Sequence, residues 1–193
     1  MDNLLLLLHI LGNNTHDFLS IRQLAREANS PYTSTLRTIN KHKELFTVQK
    51  KGKANLLSIN KDEPLVKHYL IIAERAAAND LLKKQSFLKS IQHDLKPGNY
   101  ALVLFGSRAK NNHWEQSDVD LCVISKKGSK DVRFTKFAML SGKEVNPVYF
   151  SDQEFVEMIT SKEHTVGKEI LHKHVVLYGE EYFWELVWPH VIR

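Results

Sequence analysis

The stretch Ala101 to Ser125, ALVLFGSRAKNNHWEQSDVDLCVIS, limits what this chain can fold into more than any other part of it. Ala101 to Phe105 is an uninterrupted apolar run of strand length, and it breaks at Gly106-Ser107, where a tight turn passes into Arg108-Ala109-Lys110. A turn that opens a helix leaves backbone N–H groups without internal partners at the positive end of the dipole, which favours phosphate. Asp118-Val119-Asp120-Leu121-Cys122-Val123-Ile124 then reads as a second buried strand headed by two acids. Side chains alternate along a strand, so Asp118 and Asp120 share a face. Two carboxylates on one face repel each other unless a cation compensates them, and hard oxygen donors suit Mg²⁺ or Mn²⁺ rather than zinc.

Each feature alone is ordinary: a Gly-Ser pair is usually only a turn, and an Asp-x-Asp at a strand start is usually a solvated edge. In this order, on two strands joined by a short connection, they make one phosphate-and-metal site. Gly106-Ser107 followed by Ser117-Asp118-Val119-Asp120-Leu121 resembles the signature of the DNA polymerase beta-like nucleotidyltransferase superfamily, especially its minimal nucleotidyltransferase members. The resemblance implies a small mixed-sheet α/β (α+β) domain in which Ser107 and the turn amides of Gly106 hold a nucleoside triphosphate. Asp118 and Asp120 would hold two Mg²⁺ ions, with Mn²⁺ as a substitute, and Arg108 and Lys110 would add positive charge near the phosphates. It also implies a third carboxylate on a third strand, here Glu144 to Phe150. Asn146 stands where that acid belongs, with Glu144 two residues earlier on the same face. An amide can offer its carbonyl to a metal but cannot accept a proton, so either Glu144 substitutes or the chemistry is weak.

Charge is unevenly placed along the chain of 193 residues. Between positions 17 and 53 eight basic residues (Arg22, Arg26, Arg37, Lys41, Lys43, Lys50, Lys51, Lys53) face three acids (Asp17, Glu27, Glu44), so the whole formal +5 resides there. The pattern in that region is a helix over Leu4 to Leu11, a helix over Ile21 to Ala28 capped by Ser20, and a third helix opened by Ser30-Pro31. The third helix turns Leu36 and Ile39 inward and leaves Ser34, Thr35, Arg37, Thr38 and Lys41 outward. Two strands, Phe46 to Gln49 and Asn55 to Ile59, then flank the basic tip Lys50-Lys51-Gly52-Lys53. This order resembles a winged helix-turn-helix, which implies DNA binding through Arg37, Lys41, Lys50, Lys51 and Lys53. The bland alternative is a packing module with solvated lysines.

Asn60 to Pro64 marks the boundary between a winged-helix domain, 1–62, and a nucleotidyltransferase domain with a helical lead-in, 63–193. The lead-in is helical from Leu65 to about Leu95, with a break expected at Ala78-Asn79-Asp80. Beyond the metal strand the pattern predicts a helix over Asp131 to Leu140, a capped helix from Asp152, a helix over Val166 to His172, a strand over Val175 to Tyr178 and a last helix over Glu181 to Trp188. Trp114 either stacks on a base or covers its loop, and His164, His172 and His174 lack zinc-ligand spacing. The lone Cys122 reads as a buried thiol in a reducing compartment, and Leu4 to Leu8 is too short to span a bilayer, so the expected setting is the cytoplasm, with no membrane partner.

The combined expectation is Mg²⁺-dependent transfer of a nucleoside monophosphate from a nucleoside triphosphate to a hydroxyl of protein or RNA, releasing pyrophosphate. The partners implied are the nucleotide, DNA and, as in antitoxins of this type, a toxin-like protein. The alternative is a DNA-binding regulator or antitoxin whose nucleotidyltransferase-like domain is catalytically weak.

Overall fold

Asp2 opens the chain's first helix by accepting a hydrogen bond from Leu4 N, and α1 runs over Asn3–Gly12 with Leu4, Leu7, Leu8 and Leu11 buried. The computed structural model describes residues 1–15, 17–52, 54–109 and 117–191. A two-residue strand, β1 (Leu19–Ser20), leads into α2 (Ile21–Glu27), whose start is fixed by a capping box between Ser20 and Gln23. That reciprocal pair satisfies two otherwise orphaned donors and sits three residues apart, as a capping box requires. Helix α3 (Tyr32–Lys41) begins one residue later than the Ser30-Pro31 pair suggests: Pro31 itself is the cap residue, and no side chain caps it. Strands β2 (Phe46–Lys51) and β3 (Ala54–Ile59) form an antiparallel hairpin, and β1 adds to β3 in the order β1-β3-β2. All of β2 after Phe46 is exposed, so the hairpin projects from the body.

Helix α4 (Val66–Lys84) follows and does not break at Ala78-Asn79-Asp80. Ala76, Ala77 and Ala78 favour helix strongly, and the polar pair costs little because Asn79 is exposed and Asp80 pairs with the N-terminal ammonium of Met1 at 2.8 Å. The regular helix ends instead at Gln85, beyond which a 3₁₀ segment covers Ser86–His93.

The second sheet is built from β4 (Tyr100–Phe105), β5 (Val119–Ser125), β6 (Val145–Ser151) and β7 (Val175–Tyr178) in the order β6-β5-β4-β7. β4 runs antiparallel to β5 and β7, while β5 and β6 are parallel, so the sheet is mixed. Between β4 and β5 lies α5 (Gly106–Ala109), and between β5 and β6 lies α6 (Thr135–Ser141), which starts four residues later than the expected Asp131. Helices α7 (Asp152–Thr160), α8 (Val166–His172) and α9 (Glu180–Val191) complete the chain. α7 carries a second capping box, from Ser151 and Glu154. Among the described residues no helix is long and apolar enough to cross a membrane.

The pleat sorts the core into two. Tyr100, Leu102, Leu104, Val119, Leu121 and Val123 face one cluster, with Ala77, Leu81, Leu88, Ile91 and Phe137. Ala101, Val103, Cys122 and Ile124 face the other, where Phe155, Ile170, Phe183 and Trp184 pack. This second cluster does not stop at position 62: it continues through Val66 and Leu70 of α4 into Leu7, Leu8 and Leu11 of α1 and Leu57 of β3. The N-terminal unit and the second sheet therefore share a core, and α4 passes from one cluster to the other.

A buried polar group sits in that shared core. Glu74 of α4 has no solvent exposure, and its carboxylate accepts from His9 Nδ1 of α1 at 3.2 Å and from Val176 N of β7 at 3.3 Å. His174 Nε2 lies 3.5 Å away, while His174 Nδ1 donates to Leu171 O at 3.0 Å. Asn13 closes the network, accepting from His174 N at 2.6 Å and bonding His9 Nε2 at 3.2 Å. Burial alone would raise the Glu74 carboxyl, but the charges of His9 and His174 and their hydrogen bonds overcome it and hold the carboxyl well below the usual carboxylate range.

Candidate active site

The geometry of the site comes from strand register. Phe105, the last residue of β4, pairs with Asp120 on β5, and Asp120 pairs with Asn146 on β6, so one row across the sheet brings the turn, the acid and the amide together. Directly opposed residues on neighbouring strands place their Cβ atoms about 5 Å apart, within reach of one ligand. Asp118 is exposed, one residue before β5 begins, and Asp120 is half-buried. Alternation puts both on the sheet face of Cys122 and Ile124. Asn146 Nδ2 donates to Asp118 Oδ2 at 3.3 Å, which draws the third-strand residue onto the pair.

The turn closes against the same acid. Gly106 has φ +72°, in the left-handed region, and a Cβ placed there would overlap Asp120 Oδ2 and come within 3.0 Å of its Cγ. Only glycine lets the backbone approach the carboxylate this closely. Ser107 follows at once, half-buried, so its hydroxyl and the turn amides stand beside the carboxylates.

Glu144 lies one residue before β6, next to Val145, which pairs with Val119. It is exposed, its backbone oxygen accepts from Val119 N at 2.9 Å, and among the described residues no group of three His, Cys, Asp or Glu has the arrangement of a metal cluster. The donor set that the fold brings together is two carboxylates and one amide carbonyl. All are hard oxygen donors, and Mg²⁺ is commonly held by one or two carboxylates with water and phosphate completing its shell, so the set fits that ion and not zinc.

Arg108, expected to add positive charge near the phosphates, does not reach out into solvent from the helix start. It is 1% exposed and turned inward, with Nε donating to Ser117 O and Asp118 O at 3.0 Å each, Nη2 to Ser117 O and Nη1 to Gln85 Oε1 at 3.2 Å. Its guanidinium lies 4.9 Å from the centre of the Phe87 ring. Burial pulls its pKa down and the charges of Asp118 and Asp120 push it back up. The acids therefore have a resident counter-charge beneath them, and their repulsion alone does not demand a metal. Lys110 and Trp114 lie outside the described residues.

Residues 90–182 match the family model for polymerase beta, nucleotidyltransferase. The matched span takes in Gly106, Ser107, Asp118, Asp120 and Asn146, so the family assignment and the geometry concern the same residues. It supports the nucleotidyltransferase superfamily for this part of the chain, and nucleotidyl transfer as its general chemistry. No curated protein and no solved structure matches the chain.

Outside the matched span, Arg37 and Lys41 are exposed on α3, and Lys50 and Lys51 are exposed near the end of β2. Lys53 lies outside the described residues. Thr35 and Thr38 are not outward as expected: Thr35 is fully buried, and the Thr38 hydroxyl accepts from Asn3 Nδ2 at 2.8 Å and donates to Ser34 O. Of the three candidate histidines, His174 belongs to the Glu74 network, and His164 and His172 are exposed. A cleft of about 710 Å³ opens between Asn13 and Asn14 after α1 and the Ser161 to Lys168 region, beside His190, separate from the carboxylate pair. Glu74 and the inward Arg108 escaped the reading from sequence. The available signal for Glu74 was its place on the buried stripe Leu70, Ala73, Ala77 of α4.

Proposed function

We propose that this protein is a Mg²⁺-dependent nucleotidyltransferase that moves a nucleoside monophosphate from a nucleoside triphosphate to a hydroxyl of protein or RNA. The bond from the acceptor oxygen to the α-phosphorus forms, the α–β phosphoanhydride bond breaks, pyrophosphate leaves and the acceptor proton passes to water. The observation that carries this reading is the contact between Gly106 and the Asp120 carboxylate, which joins the phosphate turn to the acid pair. Asp118 and Asp120 would hold Mg²⁺, with Mn²⁺ as a substitute; when bound, it neutralises triphosphate charge as a Lewis acid. Ser107 and the turn amides would bind the phosphates, and Asn146 would orient Asp118 through its 3.3 Å hydrogen bond. Transfer of α-labelled nucleotide into protein or RNA of a host lysate tests this. Label is expected with the wild type and absent with Asp118→Asn, and the labelled band identifies the acceptor; no label with any of the four nucleotides would refute the enzyme reading.

The N-terminal unit is proposed to be a winged helix that binds DNA. In support, its elements run helix, strand, helix, helix, hairpin with sheet order β1-β3-β2, and the hairpin projects with Lys50 and Lys51 exposed. Contacts of that kind go to phosphate and depend on salt. Removing both lysines (Lys50→Ala, Lys51→Ala) is expected to lower the slope of log affinity against log salt by about 2 in a fluorescence anisotropy titration of duplex DNA.

A second reading is favoured by Asn146, an amide in the row of the sheet where a third acid would stand. An amide at that position cannot accept a proton from the acceptor, which suits a cytoplasmic regulator or an antitoxin that binds a toxin-like protein. DNA binding without any labelled product would decide for it.

A further inference from the structure

We propose that Arg108 is a positioning residue for the carboxylate pair, an inference that rests on reading the site as a nucleotidyltransferase centre. Arg108 belongs to α5, directly after the phosphate turn, yet its guanidinium reaches to the carbonyls of Ser117 and Asp118, at the start of the metal strand. One side chain thus ties the two ends of the connection between β4 and β5 together from inside. The distance from Ser107 to the Asp118 backbone is set by that clamp.

The clamp is itself held. Gln85, 6% exposed at the end of α4, accepts from Nη1 at 3.2 Å and donates Nε2 to Arg108 O at 3.5 Å, and Phe87 of the 3₁₀ segment packs against the guanidinium. Few side chains can do this. A planar fork presents donors in fixed directions to adjacent carbonyls, whereas a lysine ammonium keeps the charge but not the geometry. The guanidinium donates to the carbonyl oxygens of Ser117 and Asp118 and to Gln85, and its charge stands close enough to Asp118 and Asp120 to interact with both.

Partners that orient metal ligands from behind are typically worth about 10–100-fold in metal affinity or activity. Arg108→Lys is therefore expected to weaken Mn²⁺ binding, measured by calorimetry with the metal alone, by about 10–100-fold. The Mg²⁺ concentration needed for half-maximal labelling should rise in parallel. Gln85→Met, which leaves the guanidinium in place but removes its support, should move both readouts the same way by a smaller factor, and it keeps the test open if the lysine variant does not fold. Circular dichroism and thermal melting establish that each variant is folded. Folded variants that take up Mn²⁺ like the wild type would overturn the positioning role and leave the transferase reading standing. Wild-type protein that takes up no Mn²⁺ would overturn the transferase reading, and this inference with it.

Discussion

Glu74→Gln is expected to lower the unfolding free energy by about 3 kcal/mol, and the thermal midpoint by about 6–12 °C. Both carboxylate oxygens act as acceptors: Oε1 takes His9 Nδ1 and faces His174 Nε2, and Oε2 takes Val176 N. An amide has only one acceptor oxygen. Turned one way, its NH₂ meets the buried Val176 N, and turned the other it meets His9 Nδ1; an orphaned buried donor costs about 1–3 kcal/mol. Loss of the negative charge also removes the partner of the two imidazoles. The pH dependence follows from the direction of the shift. The folded carboxyl sits below its ordinary value, so its contribution is fully present above the unfolded pKa near 4.5 and is lost as pH falls below that value toward the folded one. Chemical denaturation of wild type and variant across this acid range should show the two converging as pH falls. Curves that stay parallel would mean that Glu74 contributes through packing and not through charge.

Gly106→Ala should reduce labelling by about 100-fold or more while leaving the protein folded, since a misplacement of about 1 Å at a reacting centre has that effect. Two penalties combine at this position. A methyl group in the left-handed region, where Gly106 sits at φ +72°, costs about 1–2 kcal/mol. More seriously, the new Cβ would occupy the place of Asp120 Oδ2, and the carboxylate would have to swing away from the turn. The single-turnover rate of labelling with the alanine variant, compared at saturating Mg²⁺ and nucleotide, measures the loss. A rate near that of the wild type would show that contact between the turn and Asp120 is not part of the reaction.

Much of this architecture could be read from residue order because the relevant forces are local. The apolar run of β4, the alternation of β5, the Ser20 cap and the α8 and β7 spans all reflect interactions within a few residues, and the structure places each where the pattern predicts. What escaped depends on distant partners. Asn79-Asp80 looks like a helix break until Met1 is seen beside Asp80. Thr35 looks like a recognition residue until its helix is docked and the hydroxyl is buried. Arg108 follows a phosphate-type turn, and nothing nearby announces that Gln85, Phe87 and two carbonyls draw it inward. In the site, the spacing of the acids and the place of Asn146 were legible, and the pairing of β5 with β6 sets Asn146 opposite Asp120.

Cys122 is the chain's one cysteine, fully enclosed in the middle of β5 on the face that carries Asp118 and Asp120, and burial pushes its thiol far above the usual range. Thiolate, not thiol, reacts with alkylating probes, so this sulfur is both out of reach and in the wrong form. The protein is in effect already free of accessible thiols. A cysteine introduced at Val48, 55% exposed on the projecting hairpin, would be the single reactive handle in an otherwise unaltered chain. A fluorophore or spin label carried there would report how the hairpin meets its partner without any need to engineer the core.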